Sequence, residues 1–319
     1  MPLPRRTALA LGAALPAGLA QAQEYPARPP RLLLGFPPGS AADAAARVIA
    51  PPLGTALGQS IVVENRPGAG SNIATEQAVR AAPDGYTLFL GSVANTINAS
   101  LQRDLPFDFA RDLAPIAPLV SVPNLLVVHP SVPAQNVAEL VALARGGQLF
   151  FGSSGIGTAP HLSGELFNLM TGTRMTHVPY PGSGQAVTDL LAGRVGVMFS
   201  PASTVIQHVR AGRLRGLAST GATRTAAAPE LPTMIEAGLA GFVSAVWFGL
   251  MAPAATPAPI IARLAEAVRV AMNTGETRAQ LAAQGFDVLE GGPADLARLI
   301  AEETAKWARV VEASGARNN

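Results

Sequence analysis

A two-lobed α/β fold is predicted from the sequence, with two mainly parallel sheets flanked by helices and two hinge crossings between the lobes. Three observations predict it. Short β-rich runs alternate with helical runs from residue 31 to residue 219, at the spacing of βαβ units on a parallel sheet. Two glycine turns, at 37–43 and 153–161, stand where a strand gives way to a helix. Two apolar stretches, at 116–129 and 245–251, read as the crossing into the second lobe and the return.

The first of these turns organises the rest. Leu32, Leu33 and Leu34 form a strand, Pro37-Pro38-Gly39 breaks it, and a helix restarts at 40–43 to run to Leu57 and stop at Gly58. In an open α/β sheet the carboxyl ends of strands are where ligands bind. The N–H groups of residues 39–42 lack helical acceptors, and the positive end of the helix dipole stands behind them. That is an anion site without a charged side chain. The same residues are also those of an ordinary helix start capped by Ser40 or Asp43.

A strand follows at 60–64, then the turn-rich Asn65-Arg66-Pro67-Gly68-Ala69-Gly70. Ser71 or Asn72 caps a helix to 81, and a turn at 83–85 leads into a strand at 86–90. Residues 91–95 are small and polar at a carboxyl strand end, so they can face the same crevice. Strands at 116–120 and 124–129 are separated by Pro123. In the second lobe, helices are expected at 137–145, 160–171, 184–192 and 204–211, and strands at 149–152, 175–179, 195–199 and 214–219. Pro160 suits a first helical turn. After the return strand come helices at 257–272, 277–284 and 293–314. In the last, Glu302, Glu303, Lys306 and Arg309 at helical spacing read as a solvated face. The expected boundaries are 23–125 with 243–319 for the first lobe and 126–242 for the second.

The N-terminus reads as a signal peptide. Arg5 and Arg6 precede an apolar run, and Ala20-Gln21-Ala22 is an A-x-A cleavage site. The arginine pair also raises a twin-arginine route, although the residues after it match that signal poorly. With no cysteine there is no disulfide and no thiolate metal site. The formal charge of +2 is that of Arg5 and Arg6, so the processed chain is near neutral. No basic tract or aromatic–arginine cluster appears, which argues against nucleic acid as a partner. A hydrophobic fraction of 49% suffices for two cores.

Longer runs carry a resemblance. GFPPGSAADAAAR at 35–47, VVENRPGAGSNIA at 62–74 and AAPDGYTL at 81–88 resemble the Bug-type solute receptors of tripartite tricarboxylate transporters. So do FGSSGIGTAPHLSGELF at 151–167, THVPYPGSGQAVTDLLAGRV at 176–195 and LASTGATR at 217–224. LPTMIEAG at 231–238 and WFGLMAPAATP at 247–257 continue the order. The resemblance implies a periplasmic-binding-protein-like fold closing on a small organic carboxylate, delivered to a membrane permease. It implies that main-chain amides of the two glycine loops hold one carboxylate. The expected ligand-binding residues are Phe36, Pro38, Gly39, Ser40, Ala41 and Asp43 from the first loop. Ser153, Gly155, Gly157, Thr158 and His161 come from the second, with Ser92, Asn95 and Tyr180 beside them. Periplasmic localisation, a monomer, and no cofactor, metal or catalytic residue are expected. Ser40 stands where the family has a glycine, and neither Gly196 nor Ser200 supplies the acid that many relatives carry. The second departure argues against a ligand amine.

The rival reading is a secreted α/β hydrolase acting on a carboxylate ester or amide. It would pair Ser153 or Ser154 with His161 or His177 and Asp189. Gly152-Ser153-Ser154-Gly155 is not the G-x-S-x-G elbow, however. A dinucleotide fingerprint fails because Pro160 stands where the third glycine should be. The four histidines are scattered without metal-ligand spacing.

Overall fold

The computed structural model describes residues 25–102 and 104–314. The expected signal peptide and its cleavage site lie outside the described residues.

The first lobe opens as predicted. Strand β1 (Arg31–Leu34) leads through the proline turn into helix α1 (Ala41–Leu57). Gly58 ends α1 in the left-handed region at φ 79°, its N–H returning to the Gly54 carbonyl. Strand β2 (Val62–Asn65), helix α2 (Asn72–Val79) and strand β3 (Thr87–Ser92) follow. β1 pairs in parallel with β2 and with β3.

Helix α3 (Val93–Leu101) follows β3 without a gap, where the sequence suggested only a polar strand end. Its β-branched and asparagine residues are poor helix formers. Packing forms it instead, since α3 lies along the long C-terminal helix α11 (Pro293–Ser314). A short helix α4 (Phe109–Asp112), capped by Asp108, then enters strand β4.

β4 (Leu113–Val128) is one 16-residue strand where two were expected, broken at Pro123. Up to Pro123 it pairs antiparallel with β9 (Ala245–Pro253), and from Asn124 with β7 (Val197–Pro201) and β8 (Arg215–Ser219). Pro123 sits where the neighbour changes, and Pro115 and Pro118 sit at register shifts. A proline lacking its N–H is tolerated at such points. A single strand therefore carries the sheet from one lobe to the other.

The second lobe adds helix α5 (Val137–Gly146), strand β5 (Phe150–Ser153), helix α6 (Ala159–Thr171) and strand β6 (Thr176–Pro179). Helix α7 (Ser183–Leu191) precedes β7, and helix α8 (Ala202–Arg210) follows it. β5 pairs in parallel with β6 and β7. After β9 the chain finishes the first lobe with helices α9 (Ala258–Met272) and α10 (Gly275–Ala283), the two-residue strand β10 (Asp287–Val288) and α11. The sheet order is β2-β1-β3-β9-β4-β7-β5-β6, with β8 and β10 also on β4. Each lobe is thus parallel on its outer side, as expected, and antiparallel where the crossing strands join it. The sheets are mixed.

Both crossings are tied at one buried point. Thr220 Oγ1 accepts from the Asn124 N–H at 3.0 Å and also contacts the Ser244 carbonyl. The Ser244 N–H donates to the Thr220 carbonyl at 2.9 Å. Ser163 Oγ reaches Ser244 Oγ at 2.9 Å. Asn124, Ser163, Thr220 and Ser244 are all fully buried. Core packing surrounds this knot, with Leu32–Leu34 and Phe89 in the first lobe and stacked Phe199 and Phe242 in the second. On α11 the solvated face is narrower than expected. Trp307 is fully buried, and its indole N–H donates to Glu303 at 2.8 Å, which draws Glu303 and Lys306 half inside.

Candidate functional site

A small cavity of about 30 Å³ lies between the lobes. Its wall is made of Phe36, Ser40, Ala41 and Ala42 at the start of α1, and Ser92, Val93 and Ala94 at the start of α3. The second lobe contributes Ser154, then Thr158, Ala159 and Pro160 at the start of α6, Ser183 at the start of α7, and Pro201 before α8. Val246 and Phe248 of β9 complete it. No lining side chain carries a charge.

The helix starts give the wall its electrostatics. At α1 the Ser40 N–H goes to the Pro37 carbonyl at 3.2 Å, and Ser40 Oγ accepts from the Asp43 N–H at 3.2 Å. The Ala41 and Ala42 N–H groups, in the first turn, have no helical acceptor. At α6 neither Thr158 nor any other side chain caps the helix, and Pro160 has no N–H to satisfy. α7 starts at Gly182 without a side-chain cap. Five helix starts from two lobes thus meet at one cavity, an arrangement that favours an anion without a basic residue.

Five of the expected residues stand on this wall: Phe36, Ser40, Ala41, Ser92 and Thr158. Gly155 and Tyr180 line an adjoining groove that shares Phe36 and Ser154 with the cavity. Pro38, Gly39, Asp43, Asn95, Ser153, Gly157 and His161 do not line it; Pro38 and Gly39 are exposed, and the other five are buried behind the wall. Ser183, Pro201, Val246 and Phe248 were not expected. The turn PGSGQAV before α7 has the character of the other glycine turns, whereas nothing in the β9 sequence marks Val246 or Phe248.

The residues behind the wall hold its loops. Asp43, largely buried, accepts from the Gly39 N–H and from Asn65 Nδ2, each at 3.0 Å, and pairs with Arg47 at 2.9 Å. Burial pushes its carboxyl up, but hydrogen bonds from Arg47, Gly39 and Asn65 outweigh this and hold it below the usual range. The Gly39 N–H is therefore engaged inside the loop. Gly39 serves the turn through its φ of 78°, and a Cβ there would meet nothing within 4 Å. Asn95 Oδ1 accepts from the Ser92 N–H at 2.9 Å, and its Nδ2 donates to Thr75 at 2.8 Å.

In the second lobe two histidines brace the loop. Ser153 Oγ contacts His177 Nε2 at 2.6 Å and accepts from the Gly155 N–H at 3.1 Å. The Gly157 N–H donates to His161 Nδ1 at 3.3 Å, so that nitrogen is unprotonated. The two rings stack at 4.1 Å. Burial lowers His161 to about 4, and burial with the neighbouring His161 lowers His177 to about 3. Both are neutral near pH 7, and His161 Nε2 at 3.8 Å from Glu165 forms no ion pair there.

The hydrolase constellation is not assembled. Ser153 reaches His177 but is fully buried. Asp189 instead accepts from the Tyr180 hydroxyl at 2.9 Å and from Arg194 at 2.6 Å. Among the described residues no group of three or more His, Cys, Asp or Glu is placed to hold a metal.

Two α/β lobes hinged on paired crossing strands, with the site in the crevice between them, define a solute receptor of the binding-protein class. The profile described as Tripartite tricarboxylate transporter family receptor matches residues 45–316, and the chain belongs to that family. It is a non-catalytic, periplasmic receptor that serves a membrane permease. It is 38% identical over 300 residues to Protein BugT of Bordetella pertussis, covering 93% of this chain and 92% of that one. Rpa4515 of R. palustris, solved with adipate, superposes at a TM-score of 0.88 with 36% identity over 92% of this chain and 99% of that one. MatC of Rhodopseudomonas palustris, solved with malate, does so at 0.85 with 31% identity over 90% and 100%.

Proposed function

We propose that the ligand is a small organic carboxylate held mainly by main-chain N–H groups at the starts of α1 and α6. The observation that carries this is the wall itself: converging helix starts and no charged side chain. A carboxylate there gains charge-assisted hydrogen bonds and two or more helix dipoles. An ammonium group would find no carboxylate on the wall, so an amino-acid ligand is disfavoured. Adipate and malate on two relatives support the same class. Phe36, Ser40, Ala41, Ser92 and Thr158 touch the ligand, Gly155 and Tyr180 border its entrance, and the remaining expected residues support the loops. The protein acts as a monomer after cleavage behind Ala22. Its lobes, 23–125 with 243–319 and 126–242, rotate about the Thr220 knot to admit and release the ligand unchanged.

A thermal-shift screen of organic acids tests this, since a ligand that binds only the folded form raises the melting temperature. The ligand recovered after unfolding must be chemically intact. A screen in which bases and neutral solutes stabilise the protein and carboxylates do not would overturn the reading.

A further inference from the structure

Across the crevice, Pro37 of the first lobe faces Gly182 of the second. The two flank the cavity wall, next to Phe36 and Ser183 respectively. A Cβ built on Gly182 would lie 2.5 Å from Pro37 Cγ, 3.1 Å from Cδ and 3.9 Å from Cβ. Those Pro37 atoms are its three nearest neighbours, so the missing side chain leaves room for the opposite lobe. Gly182 has φ −175°, extended backbone that any residue adopts. It is buried together with Ser183, whereas Pro181 before them and Gly184 after them are exposed.

Other seam contacts lack this separation of causes. A Cβ on Gly157 would lie within 3.0 Å of Asn98 and Leu101, and one on Gly70 would lie 3.1 Å from the Ile156 carbonyl. Both glycines have positive φ, at 76° and 62°, so a side chain there would also strain its own lobe. At Gly182 a methyl group tests closure with no backbone strain, at only the small cost of alanine at the start of α7.

We propose that the contact of the Pro37 ring with Gly182 is a closure stop that determines ligand affinity, a role resting on the reading of this protein as a receptor that closes on its ligand. With the ring seated on Gly182, the starts of α1 and α7 come together and the wall is sealed. An added methyl group forces Pro37 away until the contact reaches ordinary van der Waals distance. The lobes then stay apart, water enters, and the helix starts act through a higher dielectric.

The test uses Gly182→Ala, Pro37→Ala and the double variant. Pro37→Ala removes Cγ and Cδ and keeps Cβ, which clears the added methyl by 3.9 Å. The native chain has no cysteine, so Arg80→Cys and Leu169→Cys place one nitroxide label on each lobe. Pulsed dipolar spectroscopy then gives the fraction of closed molecules, alone and with adipate or malate as the probe. Gly182→Ala is expected to lower the closed fraction and the probe affinity about tenfold, with a melting temperature without probe within a few degrees of the parent's, the small loss being that of alanine at the α7 N-cap. Adding Pro37→Ala to it is expected to restore both within about threefold. Equal closed fractions in the parent and Gly182→Ala, no restoration in the double variant, or a parent that never populates the short distance would overturn the proposal. If the parent closes but binds no carboxylate, it is the ligand reading that fails.

Discussion

Removing the Asp43 carboxylate should cost far more than removing its ion-pair partner. Asp43→Ala takes an acceptor from three donors: the Gly39 N–H at 3.0 Å, Asn65 Nδ2 at 3.0 Å, which keeps its bond to the Phe36 carbonyl, and the Arg47 guanidinium. The Asp43 side chain is 7% exposed, whereas that of Arg47 is 57% exposed. An ion pair open to solvent on one side contributes less than about 1 kcal/mol, so Arg47→Ala should cost no more than that. The Gly39 and Asn65 donors are only partly buried, so losing this acceptor costs towards the low end of about 1–3 kcal/mol each, and an N-terminal carboxylate also interacts with the helix dipole. Asp43→Ala should therefore lose about 3 kcal/mol. The same change frees the 37–40 turn from its anchor, so ligand affinity should fall about tenfold. Urea unfolding of both variants, followed by tryptophan fluorescence, gives the two values on one scale. Losses equal within about 1 kcal/mol would refute the assignment of Asp43 as the anchor of the turn.

Three further outcomes follow from the buried polar groups and the hinge. His161, lowered to about 4 by burial, stays neutral in the fold while the unfolded chain takes up a proton near its ordinary value of 6.5. Its contribution is fully present above that value and is lost as pH falls towards 4, about 2 kcal/mol between pH 7 and pH 5. Urea unfolding across that range should show it, and His161→Asn should flatten the slope. A variant as pH-sensitive as the parent would count against this. Thr220→Val strands the buried Asn124 N–H and should cost about 2 kcal/mol while preserving the fold. Unchanged stability would show that the knot does not tie the crossings. Small-angle scattering should give a smaller radius of gyration with saturating ligand, because the lobes turn about two strands with little repacking. A radius that grows on binding would contradict the hinge.

Local signals made most of the fold legible. Leu32–Leu34, the double proline and Ser40 announced the β1–α1 unit, and Gly58 marked its end, because caps and turns are written in adjacent residues. α3 was hidden because its stability comes from packing against α11 and not from its own propensity. β4 looked like two strands because proline is normally excluded from a strand interior. The exception here is a change of neighbour, which is a tertiary fact. Loops were similarly legible in the site, but the division of labour within them was not. Gly39 and Asp43 were expected at the ligand, and the structure shows them bonded to each other. The contributions of Ser183, Pro201, Val246 and Phe248 depend on which strand ends meet across the crevice, and no residue spacing encodes that.

The central claim is that an anion is held without a basic side chain. Its most direct measurement is a pair of calorimetric titrations, one with the acid giving the largest thermal shift and one with its primary amide. Two charge-assisted hydrogen bonds reduced to neutral ones should weaken binding about 100-fold, since each is roughly 1.5 kcal/mol stronger than its neutral counterpart. The account predicts that the acid binds at least that much more tightly near pH 7. An amide that binds as tightly as the acid would contradict it.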